Sequence, residues 1–162
     1  MKKLILIRHS KSTHPFGVSD FDRPLSDGGK ADARRIAAAG VSHFTDLPLI
    51  WCSPAKRTID TAQLFAAHLS DAFKRLEIVE DLYTFSMDKL KQVIRSAPDT
   101  ENTLVVFGHN EAITEFVNTF GNVYIDNVPT TGFVPITFST DSWSELKSGE
   151  TGRCLFPKLL HS

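Results

Sequence analysis

The chain opens on an aliphatic run, Leu4-Ile5-Leu6-Ile7, that stops at Arg8-His9. An apolar run without alternation reads as a strand covered on both faces, as in a parallel sheet held between helix layers. The pattern recurs where Pro48-Leu49-Ile50-Trp51 runs into Cys52-Ser53-Pro54, and where Thr103-Leu104-Val105-Val106-Phe107 runs into Gly108-His109-Asn110. Between these runs the apolar positions step by three and four, the spacing of one helix face. Ala33, Ile36, Ala37, Gly40, Val41 and Phe44 mark a first helix with Ser26 as its N-cap. Ala62, Phe65, Ala66 and Leu69 mark a second, entered through Ser53 as cap and Pro54 at the first helical position. Residues 76–79 make a short strand with Leu76 and Ile78 on one side. Met87, Leu90, Ile94 and Ala97 then give a third helix closed by Pro98, and Ile113, Phe116, Val117 and Phe120 a fourth stopped by Gly121.

This alternation predicts a three-layer α/β sandwich, with a mostly parallel central sheet, helices on both faces and right-handed crossovers. The tail departs from it. Residues 133–138 and 152–156, separated by Asp141-Ser142-Trp143, read as two further strands in a hairpin at one sheet edge.

At 162 residues the chain fits one domain spanning 1–162. A net charge of -1 with 23% charged residues gives no global basis for a nucleic acid or membrane partner, so any positive potential must be local. The apolar run at residues 4–7 is too short for a signal peptide core and is stopped by Arg8. Cys52 and Cys154 have no CxxC spacing and read as reduced thiols, which predicts a cytoplasmic location.

In open α/β sheets ligands bind beyond the carboxyl ends of the strands. Three strand ends here deliver Arg8, His9, Arg57 and His109, a set suited to a tetrahedral dianion. Phosphoryl transfer needs cations around the non-bridging oxygens and a nucleophile in line with the leaving group. The two arginines present planar forks to phosphate, and the amino end of the helix carrying Arg57 adds backbone donors. A neutral imidazole attacks phosphorus without an activating base, and the second donates a hydrogen bond to the transferred group. His9, beside Arg8, is the expected nucleophile.

The segments Leu6-Ile7-Arg8-His9-Ser10-Lys11-Ser12, Ser53-Pro54-Ala55-Lys56-Arg57-Thr58 and Gly108-His109-Asn110 together resemble the histidine phosphatase superfamily, also called phosphoglycerate mutase-like. The segment Asp20-Phe21-Asp22-Arg23-Pro24-Leu25-Ser26 is similar to the signature of the small SixA-type phosphohistidine phosphatases. The resemblance implies a phosphoglycerate mutase-like fold and a phosphatase; because the arginines and histidines already supply the positive field that a divalent metal gives elsewhere, no metal or cofactor is expected. It makes His9 the phosphorylated residue, with Arg8, Arg57 and His109 around the phosphate, Arg23 at the rim, Ser10 among the substrate contacts and Asp20 as the matching acidic residue. Its substrate would be a phosphorylated protein, such as a histidine-phosphorelay protein, or a small phosphate ester.

Three positions depart from the family pattern. No inserted segment after the third strand carries the glutamate acid of the larger relatives, only the short stretch Glu80-Asp81-Leu82-Tyr83. The asparagine expected a few residues after the nucleophile is missing from Thr13-His14-Pro15, and Glu111 replaces a proline after Gly108-His109-Asn110. An imidazole is a better leaving group than an alkoxide, so phosphohistidine needs less proton assistance, which Asp20 or a water would supply. Two other readings stay open: a small-molecule phosphomonoesterase, and a phosphate-binding module without turnover. A metal hydrolase built on His9, His14, Asp20, Asp22 and His109 lacks a compact zinc spacing and sets Arg8 against the cation.

Overall fold

Residues 1–160 are described by the structure, a computed structural model; the last two positions of the expected 1–162 unit lie outside the described residues. Among them the sheet has six strands: β1 (Lys2–Arg8), β2 (Leu49–Cys52), β3 (Leu76–Ile78), β4 (Thr103–Gly108), β5 (Phe133–Phe138) and β6 (Glu150–Thr151). They lie in the order β3-β2-β4-β1-β5-β6, parallel from β3 to β1 and antiparallel at β5 and β6. The helices are α1 (Asp27–Ala39), α2 (Lys56–Leu69), α3 (Met87–Arg95) and α4 (Ala112–Phe120).

The runs without polar alternation do alternate between two buried faces. Leu4, Leu6, Trp51, Leu104 and Val106 pack with α3 and α4, whereas Ile5, Ile7, Ile50, Cys52, Val105 and Phe107 pack with α1 and α2. Both faces of the central strands are removed from water, which is why a polar residue within these runs would be costly. No helix among the described residues is long and apolar enough to cross a membrane.

The third helix ends at Arg95, before Ala97, and the short strand ends at Ile78; three other boundaries differ from expectation, each for a local reason. The first apolar stripe runs to Phe44, but α1 ends at Ala39 and a 3₁₀ turn over Val41–Phe44 carries Phe44 into the core while Val41 stays exposed. The second helix starts at Lys56 rather than Pro54, because Ala55 holds an extended backbone (φ -61°, ψ 140°) and is itself the N-cap, its carbonyl accepting from the Thr58 and Ile59 N–H groups (both 3.0 Å), while the Ser53 hydroxyl bonds the Ala55 N–H (3.3 Å) and His109 (2.8 Å). The edge hairpin exists, but its second strand is Glu150–Thr151, and of residues 152–156 only Leu155 bridges back, to Phe133. Pro135 explains the break. Its carbonyl accepts from Gly152 (2.8 Å), and its nitrogen, on the same side of the strand, has no hydrogen to return.

Register aligns the strand ends. Arg8 lies opposite Gly108 and Cys52 opposite Phe107, so His9 emerges level with His109, and Ser53 one residue earlier, level with Gly108. The start of α1 closes against the segment after His9: Ser26 N–H donates to the Lys11 carbonyl (2.9 Å), and Gly29 N–H donates to the Ser26 hydroxyl (3.0 Å). A Cβ on Gly29 would overlap the Lys11 carbonyl oxygen. Helix propensity alone favours alanine there by about 1 kcal/mol. Overlap with a hydrogen-bonded backbone is expected to win, so Gly29→Ala should destabilise the fold by roughly 1–3 kcal/mol in urea unfolding. An unchanged or raised midpoint would show that the contact relaxes freely.

Candidate active site

The backbone around His9 is clamped from several elements. His9 N–H donates to the Gly108 carbonyl (3.1 Å), Arg8 N–H to the Gly132 carbonyl (3.0 Å), and Thr131 N–H is shared by the Arg8 and His9 carbonyls (both 3.1 Å). Ser10 N–H donates to Thr61 Oγ1 (2.9 Å) and Ser10 Oγ pairs with Thr131 Oγ1 (2.7 Å). Thr131 holds φ at +62°, a left-handed conformation disfavoured for a β-branched residue, and these bonds hold it there.

His9 Nδ1 lies 2.8 Å from the Ser10 carbonyl oxygen. A carbonyl only accepts, so Nδ1 carries the proton and Nε2 presents its lone pair. Arg57 Nε points at that lone pair from 3.4 Å. Burial, and then the neighbouring Arg57, Arg8 and Arg23 guanidiniums, push the His9 pKa down to about 4, against the opposing Ser10 bond. The ring is therefore neutral at physiological pH.

His109 faces it with ring centroids 5.3 Å apart. Its pKa is pushed down to about 3, first by burial and then by His9 and Arg57. Ser53 Oγ, already accepting from Ala55, can direct its own proton to His109 Nε2, which leaves the hydrogen on Nδ1. His109 Nδ1 and Arg8 Nε are both buried and have no hydrogen-bond partner among the described residues. Buried donors without partners are costly, and these two, at converging strand ends, are free to donate to an anion. Arg8 Nη1 is anchored on the Val128 carbonyl (2.8 Å).

Arg57, 2% exposed, is bound by Asp20 through the Asp20 carbonyl (Nη1, 2.6 Å) and Oδ2 (Nη2, 3.2 Å). Asp20 also accepts from Tyr83 Oη (2.5 Å) and faces Arg23 Nη1 (3.5 Å). The Tyr83 hydroxyl, followed by Arg57 and Arg23, holds the Asp20 carboxyl below its ordinary range, with partial desolvation opposing. A carboxylate held ionised is badly prepared to donate a proton, so the surroundings of Asp20 place it as a partner of Arg57 and oppose the proton-donor role expected from the sequence.

Arg8, His9, Arg57, His109 and Asp20 thus converge. Arg23 stands at the rim, its Nε bonded to the Thr13 carbonyl (3.1 Å). Ser10 corrects the expected list: it is fully buried with its hydroxyl taken by Thr131, so its side chain braces the His9 loop instead of facing substrate. Glu80 and Asp81 are exposed, and Asp81 pairs with Lys89 (3.6 Å). Glu111 is exposed just before α4, where its charge opposes the effect of burial on Arg8. Among the described residues no group of three or more His, Cys, Asp or Glu side chains forms a metal cluster. Sequence reasoning missed Tyr83, Ser53 and Thr131. An aromatic ring in a loop after a strand carries no spacing signal, and Ser53 reads as an ordinary helix cap.

The model of the histidine phosphatase superfamily (branch 1) matches residues 4–100, a span that includes Arg8, His9, Asp20 and Arg57 and ends before His109. An uncharacterised chloroplastic protein of Arabidopsis thaliana is 32% identical over 126 residues, 70% of this chain and 56% of its own. The chain spans 56% to 62% of the length of the curated relatives it matches. Among solved structures, a candidate phosphohistidine phosphatase SixA of Nakamurella multipartitia superposes with a TM-score of 0.82 at 19% identity, covering 96% of both chains. A protein histidine phosphatase SixA complexed with tungstate superposes with a TM-score of 0.81 at 16% identity, covering 98% of this chain and 99% of that one. At these identities the likeness establishes the fold.

If Arg57 grips an oxyanion, Arg57→Ala should weaken vanadate binding by roughly tenfold to hundredfold in calorimetry, the scale of a hydrogen bond to a charged group. Arg57→Lys should recover only part of it, since a point charge cannot replace the fork. Unchanged affinity in Arg57→Ala would remove this residue from the oxyanion site.

Proposed function

Because the chain belongs to the histidine phosphatase superfamily (branch 1), we propose that it is a phosphatase that passes the phosphoryl group through His9, needs no metal ion, and prefers phosphohistidine on a protein to alkyl phosphate esters. The observation that carries this reading is the neutral His9 ring with its lone pair on Nε2, set among two guanidiniums and a second imidazole.

In the first step the Nε2 lone pair forms a bond to phosphorus, and the bond to the leaving atom breaks with its electron pair. The His9 ring gains positive charge, which strengthens its Nδ1–H bond to the Ser10 carbonyl. Arg8, Arg57 and the Nδ1–H of His109 take the non-bridging oxygens. In the second step water attacks phosphorus, the P–Nε2 bond breaks, inorganic phosphate departs and His9 returns to its starting form.

With Asp20 held ionised, the leaving group takes its proton from solvent. Imidazole departs under such weak assistance, whereas an alkoxide demands a strong acid. Phe21 and Phe85, exposed beside Tyr83 and His109, offer an apolar rim at the site for a macromolecular substrate to meet. Both cysteines are free, in keeping with a reducing compartment such as the cytoplasm.

Rapid quenching during turnover should trap acid-labile, base-stable phosphate on His9, and His9→Ala should abolish turnover; label on Ser10 or Ser12 would sink the assignment. EDTA should leave the rate unchanged, and a loss restored by one metal would revive a metal-dependent reaction. His9 must be neutral to attack, and its pKa is lowered, so kcat/KM should persist as pH falls past the ordinary histidine range and drop only near pH 4. An acid limb near 6.5 would show that His9 is not so perturbed. A panel of phosphohistidine proteins and alkyl phosphates tests substrate class, with a preference for the esters counting against the leaving-group argument.

A further inference from the structure

Tyr83 comes from the stretch after β3, far in sequence from every strand end that supplies the site. Its ring is wedged among Phe21 (5.3 Å), Phe85 (5.9 Å) and His109 (5.4 Å), so its direction is set by packing. Its hydroxyl ends 2.5 Å from Asp20 Oδ2, and the same oxygen accepts from Arg57 Nη2. Arg57 Nε in turn points at His9 Nε2. Four side chains from four separate segments form one connected series.

We propose that Tyr83 is a positioning residue for the phosphoryl site: its hydroxyl fixes Asp20, and Asp20 fixes the Arg57 guanidinium at the angle from which it meets the transferred group. This rests on the phosphatase reading above. Asp20 sits in a short 3₁₀ turn, Asp20–Asp22, with its side chain about half exposed. An ion pair to such a group is weak and mobile by itself. A third anchor from a packed ring removes that freedom, and tyrosine does so with few rotamers to lose. The groups facing Asp20 are Tyr83, Arg57, Arg23 and His109. Each Arg57 Nη keeps a second hydrogen for a phosphoryl oxygen.

Tyr83→Phe keeps the ring and removes only the hydroxyl. It should lower kcat about tenfold and weaken vanadate, a transition-state-like ligand, about as much, while inorganic phosphate affinity changes less than about threefold. In an Asp20→Asn background the same change should cost less than about twofold, because the two residues act in series. The ¹³C titration of the Asp20 carboxyl should move to higher pH in Tyr83→Phe, since a donor to the ionised form is lost. A structural role alone would lower thermal stability and move that titration without changing kcat or separating vanadate from phosphate. Wild-type-like kcat and vanadate affinity in Tyr83→Phe would overturn the proposal, whatever the Asp20 titration does, while leaving His9 phosphorylation intact. If His9 were never phosphorylated, the phosphatase reading would fall, and the vanadate-against-phosphate comparison would still decide whether Tyr83 positions Arg57.

Discussion

His9 donates its Nδ1 proton to the backbone carbonyl of the next residue, and the usefulness of every surrounding cation depends on that bond. It selects the tautomer that leaves Nε2 without a proton, its lone pair facing the Arg57 Nε–H. Burial then keeps the ring neutral among guanidiniums that would otherwise only repel its protonated form. The bond survives because Ser10 cannot shift: its N–H is held by Thr61, its hydroxyl by Thr131, and Thr61 Oγ1 is itself tied to the Arg57 carbonyl. The left-handed backbone of Thr131 is the conformational cost of this bracing.

The same burial acts on stability with a definite sign. His9 and His109 both have pKa values below that of an unfolded histidine, so below about pH 6.5 the unfolded chain binds protons that the folded one refuses. Stability contributed by these rings is fully present above that pH and is lost as pH falls toward the folded values. Buried guanidiniums are costly to desolvate, and the structure offsets this unevenly. Arg57 is compensated by Asp20, whereas Arg8 has one nitrogen on the Val128 carbonyl and another without a protein partner. A bound oxyanion would complete that second compensation, which couples ligand affinity to the folding of the loop that carries Val128.

Where the sequence reading met the fold well, the signal was burial on two sides. The runs ending at Arg8, Cys52 and Gly108 could be placed as neighbouring strands because only a sheet between helix layers covers both of their faces. It met the fold less well where one hydrogen bond chose between neighbouring alternatives. Pro135 shortened the last strand, and the extended backbone of Ala55, whose carbonyl accepts from Thr58 and Ile59, moved the start of α2. The first lysine pair gave no hint that Lys2 would be buried, its ammonium held by the Asp99 and Glu101 carbonyls and Asn102.

What the sequence determined by itself was the inventory and its placement at strand ends: Arg8, His9, Arg57 and His109 each follow, within a few residues, an apolar run whose burial is a local property of composition. Tertiary structure decided how those side chains are used. Asp20 reads as an acid until Arg57 and Tyr83 from distant segments join its neighbour Arg23 around it, Ser10 reads as a substrate contact until Thr131 takes its hydroxyl, and Tyr83 reads as nothing until it meets Asp20 across 63 residues. Protonation, tautomer and orientation depend on the groups within a few ångströms, and those neighbours come from chain segments whose approach no local pattern records.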